Sequence, residues 1–277
     1  MLAPAVHDLD ACLEQVEALK VFPAAAMRIM RVAQSPDSTL DEMVEAVSVD
    51  PVLAASVLRV ANSPLSGLRA RVASLERAVH VLGLLGTRDV ALGALVGAIA
   101  TTVAPWGPLL HRHALLTGQF GRLLARYVPE VDGSEALVTG LLHDLGLQLL
   151  LMVERDNTMA LLDKFYARPM LMERAEQVHY GFDHAELSAA CVRRWGLPDT
   201  VADTIVGHHA TPIVDEMDRA QIVLQVADHL AEVAADGGDA EQLLVAYRQH
   251  AVSSALCVPA GVLRQLMNKA EFLAASM

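Results

Sequence analysis

The run Gly140-Leu141-Leu142-His143-Asp144-Leu145-Gly146-Leu147-Gln148-Leu149-Leu150-Leu151 decides how this chain is read. It is apolar on nearly every side, and a helix that is hydrophobic all round is a buried one. In its middle stand an imidazole and a carboxylate, side by side. A buried Asp is costly unless it is paired, hydrogen-bonded or bound to metal. Asp144 must therefore be answered by groups brought to it from elsewhere in the chain.

Working outward, each neighbouring helical segment offers one such group. Leu110, His113, Thr117, Phe120 and Leu124 follow the three-four spacing of one helix face, so His113 points where the leucines point. His111, two positions earlier, faces nearly the opposite way. His143 and Asp144, as adjacent helical residues, point about 100° apart and could grip one metal from two sides or touch two. Asp183-His184-Ala185-Glu186 reads as an N-cap with its acidic partner three residues on, which sets His184 in a first helical turn on the face of Leu187. Val201, Ile205 and His208 share a further stripe, with His209 beside it. Asp228 lies between Leu224 and Ala231 in the apolar segment from Ile222 to Leu230, a second carboxylate on a buried face.

Singly, each group has a bland reading: His113 as a core histidine bonded to a carbonyl, His184 as a first-turn surface residue. Together, several imidazoles with two carboxylates suit one or two divalent transition metals, because imidazole is a borderline ligand and carboxylate can bridge. A dry hydrogen-bonded cluster without metal meets the same electrostatic need. Spacing leaves the two open.

Composition bounds the rest. A chain of 277 residues that is 53% hydrophobic, rich in Ala and Leu and with 4% aromatics, supports a large helical core in one large or two modest domains. A formal charge of -12 with no basic run argues against a nucleic-acid partner. Cys12, Cys191 and Cys257 are odd in number and far apart, so they draw neither a disulfide framework nor a CxxC site. The N-terminus lacks the pattern of a signal peptide. The most membrane-like stretch, Val90 to Ala104, is shorter than a span needs and reads as a buried core helix. A cytoplasmic protein without a membrane partner is expected.

Along the chain, residues 1–12 read as a loose lead-in. Val21-Phe22-Pro23 breaks a first helix, Ser38 or Thr39 caps another, and Asp50-Pro51 starts a third as N-cap and first position. Gly67 to Val72 reads as a basic loop, and Leu75, Val79, Leu82 and Leu85 form one stripe. No alternating strand pattern occurs, so the fold class is all-α. Ala104-Pro105-Trp106-Gly107-Pro108 is the best joint. It divides a first helical lobe, 13–104, from a second, 105–235. A more polar helical region runs from Val153 to Val178 in that second lobe. A helical tail, 236–277, offers Leu243, Leu244, Tyr247, Leu263, Leu266 and Phe272 for packing on it.

The order His113, His143-Asp144, His184, His208-His209, Asp228 resembles the HD superfamily of metal-dependent phosphohydrolases. Several further stretches resemble the HDOD family of bacterial signalling domains. These are Leu40-Asp41-Glu42, Ser48-Val49-Asp50-Pro51-Val52-Leu53-Ala54, Arg59-Val60-Ala61-Asn62-Ser63, Ser74-Leu75-Glu76-Arg77-Ala78-Val79, Gly181-Phe182-Asp183-His184-Ala185-Glu186 and Arg194-Trp195-Gly196-Leu197-Pro198. The resemblance implies a two-lobed all-helical fold whose second lobe is HD-like. It implies a regulatory relative of the HD and HD-GYP hydrolases, acting on a kinase, a response regulator or a cyclic-dinucleotide enzyme, with a homodimer as a further option. It also implies a metal set: His113, His143, Asp144 and Asp228 for one ion, and His184 with His208 or His209 for a second bridged by Asp144. Fe, Mn, Zn, Ni and Co are the candidate ions.

The chain departs from the HD-GYP pattern at three places. Leu147 stands where those hydrolases carry Lys, Leu109 where they carry Glu, and Ala210-Thr211-Pro212 where Gly-Tyr-Pro would follow the paired histidines. A leucine at 147 can bind neither phosphate nor hydroxide. The expectation is a signalling module whose cage has lost its hydrolytic chemistry. The alternative is a metal-dependent phosphohydrolase acting on nucleotides.

Overall fold

The structure, a computed structural model, describes residues 8–19, 24–63, 71–209, 218–235, 237–250, 253–256, 258–259 and 261–262. Val21-Phe22-Pro23, residues 67–70 of the basic loop, Ala210-Thr211-Pro212, Cys257, Leu263, Leu266 and Phe272 lie outside them. Among the described residues every regular element is a helix and none is a strand. The chain divides into two compact units, Leu19–Ala98 and a second formed by Met1–Ala18 with Ile99–Met277.

This division corrects two of the expected boundaries. The first helix, α1 (Leu9–Ala18), begins inside the expected lead-in, because Asp8 accepts from the amides of Asp10 and Cys12 and so starts the helix early. Its buried residues Cys12 and Val16, its contacts with helices of the second unit and a bidentate ion pair from Arg194 to Glu17 place it with that unit.

The Leu19–Ala98 unit holds α2 (Ala24–Gln34), α3 (Leu40–Ser48), α4 (Pro51–Ala61) and most of α5 (Leu75–Thr102). Its sequence signals act as read. Thr39 and Glu42 form a capping box on α3, and Asp50 caps the amides of Val52 and Leu53 with Pro51 at the first position of α4. Such caps contribute about 1 kcal/mol each. Asn62 fixes the exit from α4. Its amide donates to Leu58 O and Val72 O, and its Oδ1 accepts from Val72 N. Ile29, Met43, Val47, Leu53, Val57 and Val79 fill the core of this unit.

The second boundary falls inside α5 rather than at Ala104-Pro105. A Cβ on Gly107 would lie 1.9 Å from Ala100 O, so the last turns of α5 are held against the start of α6 (Trp106–Leu124). Helix α5 is interrupted at Gly83, whose φ of +71° few other residues adopt. By length and composition alone, α5 and the run Gly133–Val153 could each cross a membrane, so Val90 to Thr102 of the expected core helix belongs to a longer apolar element. Most of the Gly133–Val153 run is buried inside the protein.

The opening stretch also differs from its reading. It is two helices, α7 (Gly133–Leu142) and α8 (Leu145–Val153), and His143 and Asp144 form the turn between them. An unbroken helix would give the Gly146 amide to Leu142 O. Here it goes to Ser188 Oγ at 2.7 Å, and that hydroxyl donates to His184 O. The doublet therefore sits at a corner, held by a helix distant in sequence.

The polar region after α8 resolves into α9 (Arg155–Phe165) and α10 (Pro169–Tyr180). Then come α11 (His184–Arg194), α12 (Asp199–Val206), α13 (Arg219–Ala235) and α14 (Ala240–Gln249). Leu116, Phe120 and Leu124 of α6 pack with Ile222, Val226 and Leu230 of α13, and with Leu243 and Tyr247 of α14. Helix α6 thus lies between α7 and α13. That packing carries His113, His143-Asp144 and Asp228 to one place.

Candidate metal centre

Four segments supply the inward imidazoles, and each does so for a local reason. On α6, Leu110, His113, Thr117, Phe120 and Leu124 are all buried, so His113 faces the core as its spacing predicts. Gly118 and Gly140 let α6 and α7 touch, since a Cβ on Gly140 would come within 2.5 Å of Gly118 N. On α11, Asp183 and Glu186 form the expected capping box, which places His184 at the first helical position. His208 and His209 follow the end of α12, with Gly207 as its C-cap.

These side chains close around the two carboxylates. Asp144 divides its oxygens. Its Oδ2 lies 3.4 Å from His143 Nε2 and 3.6 Å from His113 Nε2, while its Oδ1 lies 3.3 Å from His184 Nε2 and 3.5 Å from His208 Nε2. Asp228 Oδ1 lies 2.8 Å from His113 Nε2 and 3.4 Å from His143 Nε2. His184 Nε2 and His209 Nε2 face each other at 3.0 Å. Two groups result, His113 with His143 and Asp228, and Asp144 with His184, His208 and His209. Within each, the candidate ligand atoms lie within 4.8 Å of one another, and each group is able to hold a metal ion. All the candidate site residues of the sequence reading are in one place. His111, as expected, is not among them.

The ring orientations are set by hydrogen bonds on the far nitrogen. His143 Nδ1 donates to Gly140 O at 2.9 Å and His208 Nδ1 to Ile205 O at 2.7 Å. A carbonyl only accepts, so both rings carry their proton on Nδ1 and turn Nε2 inward. Those two Nε2 atoms are buried and have no hydrogen-bond partner. An imidazole lone pair aimed at a carboxylate is repelled unless a cation, a proton or a metal ion, lies between. Nitrogen and carboxylate donors of this kind suit a borderline divalent ion. The residues present fit such an ion.

The sequence reading missed one member. Glu176 on α10 is fully buried, and its Oε2 accepts from His184 Nδ1 at 2.6 Å and from the His184 amide at 3.2 Å. Its signal was available: Met172, Glu176 and Tyr180 recur at four-residue spacing and all three are buried. The polar residues between them hid that stripe.

The charges of the cage are mutually sustained. Burial opposes charge on Asp144 and Asp228, yet the facing histidines hold both carboxyls well below the usual range. Burial would lower His113, but its bond to Asp228 and the charges of both carboxylates raise it to about 9. His184 is likewise lifted well above its ordinary value against its burial, by Glu176 and Asp144. His209 is pushed down to about 2 by burial and by His208 and His184.

A pH dependence follows. A histidine raised from 6.5 to about 9 contributes stability fully below pH 6.5 and loses it as pH rises through 9. The depressed carboxyls contribute above about pH 4 and lose that on acidification. Metal must displace the imidazole protons, so it binds more tightly as they leave. The melting temperature of chelated protein is expected to fall from pH 6.5 to 9 while the gap to metal-loaded protein widens. A gap constant across that range, by scanning calorimetry with and without chelator, would contradict this account.

A helical unit that closes on a His/Asp cage in this order defines an HD-type fold. Within that superfamily the chain belongs to the HDOD domain family, which it matches over residues 19–211. An uncharacterized protein of Treponema pallidum (strain Nichols) is 26% identical over 208 residues, 73% of this chain, and this chain spans only 40% of that relative's length. A crystal structure from Shewanella amazonensis SB2B, whose name proposes a phosphohydrolase, is 22% identical with a TM-score of 0.67, covering 96% of this chain and 93% of that one. Another, from Marinobacter aquaeolei VT8, whose name proposes a signal transduction protein, is 19% identical with a TM-score of 0.69, covering 99% of this chain and 66% of that one. At these identities the likeness is one of fold.

Proposed function

We propose that this chain is a regulatory HDOD module that holds divalent metal in its His/Asp cage and acts through contact with another signalling protein rather than by turnover. The carrying observation is the make-up and closure of the cage. Among the described residues, every ion pair to Asp144 or Asp228 comes from an imidazole, and the side chains of the two carboxylates are only 11% and 14% exposed. Leu147, where the resemblance puts the lysine of the hydrolases, is buried. Phosphoryl transfer needs its developing charge met by positioned cations. A divalent ion supplies Lewis acidity when bound, but among the described residues no guanidinium or ammonium pairs with either carboxylate.

In this reading His113, His143 and Asp228 would hold one ion, and Asp144, His184, His208 and His209 a second, with Fe, Mn, Zn, Ni and Co as candidates. The partner would be a kinase, a response regulator or a cyclic-dinucleotide enzyme in the cytoplasm. The name of the Marinobacter structure supports a signalling role. The second reading, a metal-dependent phosphohydrolase, is favoured by the whole ligand set and by the name of the Shewanella structure.

The two separate in one experiment. Protein loaded to stoichiometry, as measured by elemental analysis, is offered bis(4-nitrophenyl) phosphate and cyclic dinucleotides. No turnover above the chelated control is expected. Turnover that vanishes in Asp144→Asn would establish the hydrolase instead.

A further inference from the structure

We propose that Glu176 is a positioning residue for the second ligand group: its carboxylate fixes the proton of His184 on Nδ1 and so presents Nε2 to the metal. This rests on the metal-binding reading above. The geometry is that of a carboxylate–histidine–metal relay, in which an outer carboxylate orients the ring and raises its basicity as a ligand. Glu176 Oε2 stands 2.6 Å from Nδ1, and the opposite nitrogen of the same ring faces Asp144 Oδ1 at 3.3 Å and His209 Nε2 at 3.0 Å. His143 and His208 receive the same service from backbone carbonyls, Gly140 O and Ile205 O. His184 opens its helix and receives it from a side chain of α10 instead.

A purely structural role for Glu176 explains less. Its Oε2 does accept from the His184 amide, but the start of α11 is already capped by Asp183 and Glu186, with Gln177 donating to both. Capping needs no charge, whereas Glu176 keeps a carboxylate at zero exposure with its second oxygen, Oε1, unpartnered. A buried carboxylate left half-satisfied is costly. Orienting and polarising an imidazole is a task that uses the charge.

The test is Glu176→Gln in the full chain, titrated with Zn2+ against a chromophoric chelator. Gln keeps an acceptor for the cap and removes the charge. Affinity for the ion of the Asp144–His184–His208–His209 group is expected to fall about 10–100-fold, while the ion of the other group binds as before. Gln still offers an acceptor to His184 but no charge, so the melting temperature of the metal-free variant is expected to fall less than that of Glu176→Ala. The downfield imidazole N–H resonance of the short His184 contact should move. Glu176→Ala, which loses both the charge and the acceptor, should weaken Zn2+ further and lower the metal-free melting temperature. Equal Zn2+ affinity in wild type and Glu176→Gln would overturn the inference, and so would an affinity loss matched by lost metal-free stability. Wild-type protein that takes up no Zn2+ overturns the metal reading itself, and the failure then appears before any substitution is made.

Discussion

Asp144→Ala is expected to destabilise the metal-free protein by about 3–5 kcal/mol, the range for removing one partner from a buried charge cluster. The reason is the division of its oxygens. Oδ2 faces His143 and His113, and Oδ1 faces His184 and His208. Removing the carboxylate leaves four buried imidazoles with Asp228 as their remaining inner counter-charge, and among the described residues the ion pairs of Asp228 are to His113 and His143. Asp144→Asn separates charge from volume. It keeps the side chain's size, so its stability loss should be smaller, while metal uptake would fall at both groups, because its two oxygens face histidines of both. Urea unfolding in chelator reads the first effect, and elemental analysis of reloaded protein reads the second. An Asp144→Ala protein as stable as wild type would show that the cage is held by its surroundings and not by this charge.

How much of this was legible in the sequence varied with the local contrast between residue types. On α6 the three-four spacing sits among polar positions, so the face that carries His113 stands out and is the one that is buried. The capping residues Thr39, Asp50 and Asp183 were equally readable, because a cap is a local interaction between residues three apart. The corner at His143-Asp144 was not. Leucines on both sides give periodicity nothing to distinguish, and the break is imposed by Ser188, 42 residues away. The apolar surroundings do bury the doublet, but the two residues form a turn and are not adjacent positions on one helix. Helix α1 failed for a related reason. Nothing within residues 8–18 says which unit it packs against, and its placement depends on contacts with α8 and α11. Glu176 lay between. Its stripe with Met172 and Tyr180 can be counted, but Glu173, Arg174 and Gln177 make α10 look solvated.

The same corner makes Gly146→Ala a severe change despite its small size. Alanine is favoured over glycine inside a helix by about 1 kcal/mol, so α8 alone would gain. Against that, a Cβ on Gly146 would lie 2.1 Å from His184 O and 2.9 Å from both its C and its Cα. All three atoms are backbone, and no rotamer change relieves the overlap. Either α8 or α11 must shift. Overpacking of this kind costs about 1–3 kcal/mol and sometimes more, so the net effect should be a clear loss of stability. The functional effect should be larger. His184 is the first residue of α11, and moving that helix takes its Nε2 from Asp144 Oδ1 while stretching the Gly146–Ser188 hydrogen bond. Zn2+ uptake by the second group should be lost, with the His113–His143–Asp228 group keeping its ion. Gly207→Ala is the control. Its Cβ would meet the side-chain amide of Gln221 at 2.4 Å, the far end of a flexible side chain that can swing away. That variant should stay close to wild type in both stability and metal content. If the two variants behave alike, the close approach of α8 to α11 does not set the geometry of the cage.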